Sequence, residues 1–405
     1  MLVYPLNKLI HLRHNTPDGI AAIYINSMLR TLAISLVGTF LPVFLFLETQ
    51  RVFGQGIHIG FYGIIFYFLL QRLVVTTLLI PTGKFISKFG FRWSIFFGNI
   101  FLAVVLGLFS LADKFFWVVP IAAVVSGFQI SLYWLSRRTL FARDGILSNL
   151  GREVGLLTVS TRIASIAGPV LGGVIITIWG FSALFIIALI IVILSGVPFF
   201  FMSKHEHKIS VSLVGVVEWL KNKKNRNEEL SFLGRHVDSF VYALFWPVFI
   251  YMILGDFEKQ GLAVSLGLVA STVVVYLAGR VFDKKHSERV FRFGVFANSA
   301  MWILRGLIKS FGQLVAVETS ANAISPFYWV TFDSLVYERA RDEDEEVMVF
   351  MIGRKLVVSL ALFVVISVAF IVAKSSFRFW VLWVMAALGT LSTVFMWEKR
   401  KGIKN

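Results

Sequence analysis

Residues 59–81 read IGFYGIIFYFLLQRLVVTTLLIP, an apolar run interrupted only at its middle by Gln71 and Arg72. About 20 apolar residues cover the roughly 30 Å hydrocarbon core of a bilayer as an α-helix, and a helix satisfies its own backbone polar groups where lipid offers no partner. The run is followed by a basic segment, Gly83 to Arg92 with Lys84 and Lys88, and then by a second apolar run, Trp93 to Leu111. The same alternation continues in both directions. Upstream lies Ile20 to Leu47. Downstream lie Phe116 to Leu135, Val154 to Trp179, Ala183 to Met202, His236 to Leu254, Leu262 to Val281, Val290 to Leu307, Leu314 to Val336, Val347 to Ala373 and Phe379 to Met396. Together these make twelve expected spans in an all-α polytopic membrane protein.

Composition supports the bilayer as solvent. Apolar residues make up 57% of the 405 residues and mean hydropathy is +0.79, beyond what a globular core surrounded by a polar shell contains. The net charge of +16 is therefore not read as a nucleic-acid footprint, because its placement follows the membrane. With both termini in the cytoplasm, the inner segments hold Lys84, Lys88, Arg92, Arg137, Arg138, Arg143, Lys221, Lys223, Lys284 and Lys285, among others. The outer connections hold only Arg51, Lys114, Lys259, Lys309, Lys374 and Arg378. That asymmetry is the positive-inside rule, and it sets the expected location as the inner (cytoplasmic) membrane, multi-pass. Residues 1–19 show no short apolar core with a small-residue cleavage site, so the first span is expected to target the chain. The chain has no cysteine, which excludes disulfides, thiolate nucleophiles and thiolate metal sites.

The longest polar interruption, about His205 to Arg235, divides six spans from six. The expected organisation is an N-terminal bundle over 1–202, a cytoplasmic linker over 203–234 and a C-terminal bundle over 235–405. Val211 to Leu220 within the linker is apolar enough for a short surface helix; a plain linker is the alternative. The halves carry a direct repeat. Arg30 and Pro42-Val43-Phe44 match Arg235 and Pro247-Val248-Phe249 at identical spacing; Tyr133-Trp134 recurs as Tyr328-Trp329; Glu153-Val154 recurs as Glu346-Val347.

Three motifs carry a family resemblance. The segment Gly83-Lys84-Phe85-Ile86-Ser87-Lys88-Phe89-Gly90-Phe91-Arg92 resembles the signature loop of the major facilitator superfamily. Gly279 to Lys285, with Asp283 and Lys284, resembles its second-half copy, and Gly168-Pro169-Val170-Leu171-Gly172-Gly173 is similar to the glycine-proline motif of many proton-driven antiporters in that superfamily. Ser87 stands where the loop motif has its aspartate, and the fourth span, at Ser126-Gly127-Phe128-Gln129, lacks the arginine of many proton-coupled members. The resemblance implies two pseudo-symmetric six-helix bundles, a central cavity lined by the first, fourth, seventh and tenth spans, and transport by alternating access. It also assigns gating to Gly83, Lys84, Lys88, Gly90, Arg92, Gly279, Asp283 and Lys284.

Ionisable residues within spans cost about 2.5–3.5 kcal/mol each at mid-helix, so they face a cavity or a partner. The inward set is mostly basic: Arg30, Arg72, Arg162, Arg305 and Arg354-Lys355, against Asp238, Glu318 and Asp333. A cationic interior suits an anionic or polar solute, since guanidinium binds carboxylate or phosphate as a fork. The expected binding set is Asn26, Arg30, Gln71, Arg72, Gln129, Arg162 and Asn322. Bracing or snorkelling is the competing reading for Arg162, Arg305 and Arg354, near span ends. Burial favours the protonated form of a carboxyl, which makes Glu318, then Asp238, the expected proton carrier; a structural ion pair is the alternative. Gly168, Pro169, Gly172 and Gly173 are read as a helix-packing seam.

No nucleotide loop, hydrolase constellation or metal cluster appears, so no enzyme activity, cofactor or metal is expected. The expected partners are membrane lipids, a small solute and protons, without nucleic acid, for a monomer. An exporter of amphipathic compounds and a non-transporting receptor of the same fold are the alternatives. Single cysteines placed in this cysteine-free chain test the orientation. Gln55→Cys is expected to react from outside with a membrane-impermeant maleimide, and Lys88→Cys only after permeabilisation; the reverse pattern would refute it.

Overall fold

A computed structural model describes residues 18–144, 151–197, 213–282, 287–342, 347–374 and 378–396. Helix occupies each of the twelve expected spans. Two helices are too long for one crossing. Ile57–Ser110 has 54 residues, about 80 Å at ~1.5 Å per residue, and Gly151–Gly196 has 46. Each is divided by a glycine in the left-handed region, Gly90 at φ 82° and Gly180 at φ 79°, where a Cβ is disfavoured. The second and third spans, and the fifth and sixth, are thus joined by tight glycine turns.

The first, seventh and tenth spans are interrupted partway. Asp18–Gly38 gives way to Leu41–Phe53, Arg226–Leu244 to Trp246–Leu254, and Phe311–Ile324 to Pro326–Asp342. Each second segment opens with a proline in its first two positions: Pro42, Pro247 and Pro326. Proline has no N–H to continue the ladder and fits only the first turn of a new helix. The seventh span is helical from Arg226, so its first turns lie within the segment read as linker.

Seven helical stretches among the described residues are apolar and long enough on their own to cross a membrane, two of them holding two spans each. Ser287–Arg305 and Phe311–Asp342 are more polar: the first carries Glu288, Arg289, Arg292, Asn298, Ser299 and Arg305, and the second carries Glu318 and Asn322. Of these, Asn298, Ser299, Arg305 and Glu318 are buried. Their polarity is turned into protein rather than lipid.

The repeat read in the sequence recurs as geometry. Arg30 lies with its guanidinium carbon 3.4 Å from the Tyr133 ring centre, and Arg235 stands 5.2 Å from that of Tyr328. In both halves a glycine lets the neighbouring span approach that tyrosine: a Cβ on Gly98 would press on Tyr133, and one on Gly294 on the Tyr328 backbone.

The bundles meet closely at the end bearing residues 54–56, 111–117 and 255–256. Phe61 stacks near Phe245 and Phe379, with ring centres 6.0 and 5.6 Å away, Tyr62 near Phe370 at 5.4 Å, and Phe181 near Phe257 at 5.3 Å. The glycine-proline segment forms the tightest part of the seam. A Cβ at Gly168 would strike Ser35, one at Gly172 would strike Leu36 and Phe40, and one at Gly173 the Phe257 carbonyl; across the interface, one at Gly261 would strike the carbonyl of Pro169. Pro169 leaves the Ser165 carbonyl without its usual amide donor. Ser35 Oγ donates to it at 2.7 Å, and Ser265 Oγ donates to the next carbonyl, Ile166, at 2.7 Å. The fifth span is therefore tied to the first within its bundle and to the eighth across the interface.

At the opposite end the helix Leu213–Lys221 packs on the eleventh span. Trp219 lies against Gly353, where a Cβ would meet its ring, and edge-on to Phe350 at 5.6 Å. Val214 and Val217 on its other side are exposed. The short helix expected from the sequence is present, with one face spent on protein.

Overpacking a tight contact costs about 1–3 kcal/mol, so Gly261→Ala is expected to lower the thermal midpoint in nanodiscs by several degrees. Gly312→Ala, with open space around it, is expected to leave the midpoint in place.

Candidate functional site

The second half contains a connected polar network. Glu318 is fully buried. Its Oε1 accepts from Tyr242 Oη at 2.6 Å and from Asn322 Nδ2 at 2.8 Å, and Oε2 faces Arg305 Nη2 at 3.5 Å. The Arg305 guanidinium sits over three rings, 4.1 Å from the centre of Trp302, 4.8 Å from Trp246 and 5.2 Å from Tyr242. Trp302 extends the network: its Nε1 donates to Asp238 Oδ1 at 2.6 Å. Asp238 Oδ2 accepts from Tyr328 Oη and pairs with Arg235 at 3.3 Å. One indole thus touches the surroundings of both carboxylates, through its N–H on one and through the cation over its face on the other. A buried carboxylate stripped of such donors would be costly.

These contacts come from the seventh, ninth and tenth spans, and the eighth closes in because Gly267 has no side chain to collide with Asn322 and Glu318. Glu318, Asp238 and Asn322 were expected from the sequence as site residues, and Arg235 as part of the repeat. Trp302 and Tyr242 were not. The available signal was the spacing of Asn298, Trp302 and Arg305, which puts them on one face of the ninth span.

In the first half, Arg30 and Asn26 engage their own bundle. Arg30 Nη1 donates to Asn99 of the third span, and Asn26 Nδ2 donates to the Ser195 carbonyl of the sixth at 2.9 Å. Gln71 Nε2 donates to Ser126 Oγ of the fourth span at 2.6 Å. Gln129 is buried on the fourth span.

Arg72 and Arg162 are placed differently, each against the opposite bundle. Arg72 is buried, with its guanidinium carbon 5.0 Å from the Phe240 ring centre of the seventh span. Its Nε and Nη1 make no hydrogen bond among the described residues. Arg162 lies 5.4 Å from the Trp329 ring centre of the tenth span. The expected binding set therefore divides: Arg72 and Arg162 at the interface, Arg30, Asn26 and Gln71 within the first bundle, and Asn322 beside Glu318.

Of the loop motif, Gly83 is buried, Lys84 and Lys88 are exposed, Gly90 makes the turn, and Arg92 lies 5.8 Å from the Trp93 ring centre. In the second copy Gly279 belongs to Phe257–Phe282; Asp283 and Lys284 lie outside the described residues.

Two helical bundles related by repeat, meeting along a seam that carries Arg72 and Arg162, have the architecture of a membrane transporter fold. The Major Facilitator Superfamily model matches residues 23–227, about half of the chain, and the chain belongs to that superfamily. A curated relative, the MFS-type transporter ppzB of Metarhizium rileyi (strain RCEF 4871), is 25% identical over 112 residues, a stretch covering 28% of this chain and 23% of that protein. Among solved structures, a variant of the nucleoside transporter NupG superposes with a TM-score of 0.68 over 94% of this chain and 99% of its own, at 11% identity. The E. coli fucose:proton symporter FucP gives 0.65 over 95% and 99%, at 13% identity. At such identities these likenesses speak for the fold alone.

Trp302→Phe keeps a ring under Arg305 and removes the N–H from Asp238. Leaving a buried acceptor short of a donor costs about 1–3 kcal/mol, so a lower thermal midpoint is expected, whereas Trp380→Phe at an exposed position is expected to be neutral.

Proposed function

We propose that the chain is a secondary active transporter of a small anionic or polar solute, working by alternating access and coupled to protons. Its two bundles, 1–202 and 235–405, are joined by a cytoplasmic linker over 203–234. It sits in the inner membrane as a monomer with both termini cytoplasmic. The observation that carries this reading is Arg72: a buried guanidinium facing the other bundle across the seam, with two N–H donors unpaired. Donors left unpaired away from water favour a ligand that supplies acceptors. Arg162 contributes a second cation on the same seam.

Glu318 is the proton carrier in this reading, with Asp238 second. Taking up a proton at Glu318 removes its charge and puts an O–H on a carboxyl oxygen, most directly Oε2, where it would face the Arg305 donor, while Oε1 can still accept from Tyr242 and Asn322. Loss of the charge pair with Arg305 gives protonation a handle on the ninth and tenth spans together. The Trp302 link carries that change toward Asp238.

Vesicles containing the purified chain are expected to show solute-dependent proton uptake that Glu318→Gln abolishes and the surface change Lys309→Gln preserves. Undiminished flux in Glu318→Gln would overturn the proton role. Efflux of amphipathic cations, insensitive to Arg72→Gln, would favour the exporter reading drawn from the glycine-proline seam.

A further inference from the structure

The tight turn at Gly90 carries Lys84, Lys88 and Arg92, and no Asp or Glu occurs between Glu48 and Asp113. Lys84 and Lys88 are exposed, one helical turn apart on the same face of the second span. Neither forms an ion pair among the described residues. The matching turn of the second half differs: residues 279–292 include Asp283 and Glu288, and Glu288 pairs with Arg292 at 3.1 Å. The cations of the first turn stand on one run of rings. Lys88 Nζ lies 5.2 Å from the centre of Phe89, which is followed by Phe85 at 4.8 Å, Phe97 at 6.1 Å and Trp93 at 6.1 Å. The Arg92 guanidinium carbon lies 5.8 Å from that last ring. From Trp93 the exposed apolar surface continues through Phe97, Ile100 and Val104, positions i, i+4, i+7 and i+11 of one helix face. Those positions span about 16 Å at ~1.5 Å per residue, half of the roughly 30 Å hydrocarbon core.

We propose that this turn and the helix face leading from it bind an anionic phospholipid, its phosphate on Lys84 and Lys88 and an acyl chain along Trp93, Phe97, Ile100 and Val104. From the turn inward the surface runs from cations through rings to aliphatic side chains, the order of a phospholipid from headgroup to tail. Lys84 starts about level with Phe97, because Phe85 meets that ring, and its four-carbon stem carries the ammonium back toward the headgroups. Aromatic rings suit the layer between headgroup and tail. With no carboxylate in the segment to answer them, the two ammonium groups gain from a lipid of net negative charge, which an anionic leaflet supplies. A zwitterionic lipid brings its own cation beside them, where like charges repel. A free phosphate would use the lysines and leave the apolar face idle. That face lies at hydrocarbon depth, out of reach of a soluble protein. Occupancy does not depend on what the chain carries, so the inference goes beyond the transport reading.

The test uses the full chain, purified in detergent and freed of lipid, and reads its thermal midpoint during titration with dioleoyl phosphatidylglycerol. A ligand of the folded state raises the midpoint with its occupancy. A saturable rise of several degrees is expected, with dioleoyl phosphatidylcholine and water-soluble glycerol 3-phosphate giving much less. Lys84→Gln with Lys88→Gln is expected to keep the lipid-free midpoint, since both side chains are exposed, and to raise the half-saturating concentration at least fivefold. Lys84→Arg with Lys88→Arg is expected to retain the response. Lys221→Gln with Lys223→Gln removes the same charge from another exposed site and is expected to leave the response unchanged. Should the double glutamine variant fail to fold, Lys88→Gln alone is titrated, with at least a twofold rise expected. Equal responses to the two lipids, an equal loss on changing Lys221 and Lys223, or an undiminished response without Lys84 and Lys88 overturns the proposal. A response to glycerol 3-phosphate as large as to the lipid would make this a site for free phosphate, and dimerisation without headgroup preference would give the apolar face to a second copy; either result also overturns it.

Discussion

Lipid donates and accepts no hydrogen bonds, so every polar group that this chain carries into the bilayer must be answered from within the protein. The second bundle meets that demand with one continuous assembly in which Tyr242, Asn322 and Arg305 surround Glu318 while Trp302, Tyr328 and Arg235 surround Asp238. The least apolar spans, the ninth and tenth, tolerate their composition because their polar residues meet one another. The same rule bears on Pro169 in the fifth span: serines from two neighbouring helices donate to the Ser165 and Ile166 carbonyls beside it.

The two halves share a scaffold and differ in charge. An arginine against a tyrosine and a glycine under that tyrosine occur in both. In the first half Arg30 is met by the neutral Asn99; in the second, carboxylates stand nearby. The two copies thus share a frame, and among the described residues the buried carboxylates, Glu228, Asp238 and Glu318, all stand in the second. One bundle holds a connected charge network and the other leaves Arg72 and Arg162 facing its partner; in the proposed function these would serve proton handling and solute contact respectively.

Much of this was legible in the chain. Length and apolarity marked the spans, because lipid imposes a minimum helix length that no soluble fold mimics twelve times over. The repeat was legible at Arg30 and Arg235 because the spacing to the proline is the same in both. Which way each arginine points was not. Arg30 and Arg72 look alike in sequence, yet one is turned to Asn99, 69 positions away, and the other toward Phe240. Such pairings depend on how helices rotate when packed, which a single sequence does not encode locally. Trp302 escaped for a related reason: an indole in a membrane span reads as one more apolar residue until a carboxylate is found at its nitrogen.

The linker helix has a mechanical corollary. Trp219 is seated on Gly353, its helix end is tied by Asn225 Nδ2 to the Trp219 carbonyl at 2.9 Å, and Glu228 just beyond it bonds Arg339 at 3.1 Å. The contacts at Gly353 and Arg339 are both on the second half. If the bundles rock as proposed, this helix would travel as an outrigger of one of them, carrying the exposed Val214 and Val217 with it. Anything that gripped those two valines, bilayer surface or cytosolic protein, would then act as a brake with leverage on the movement.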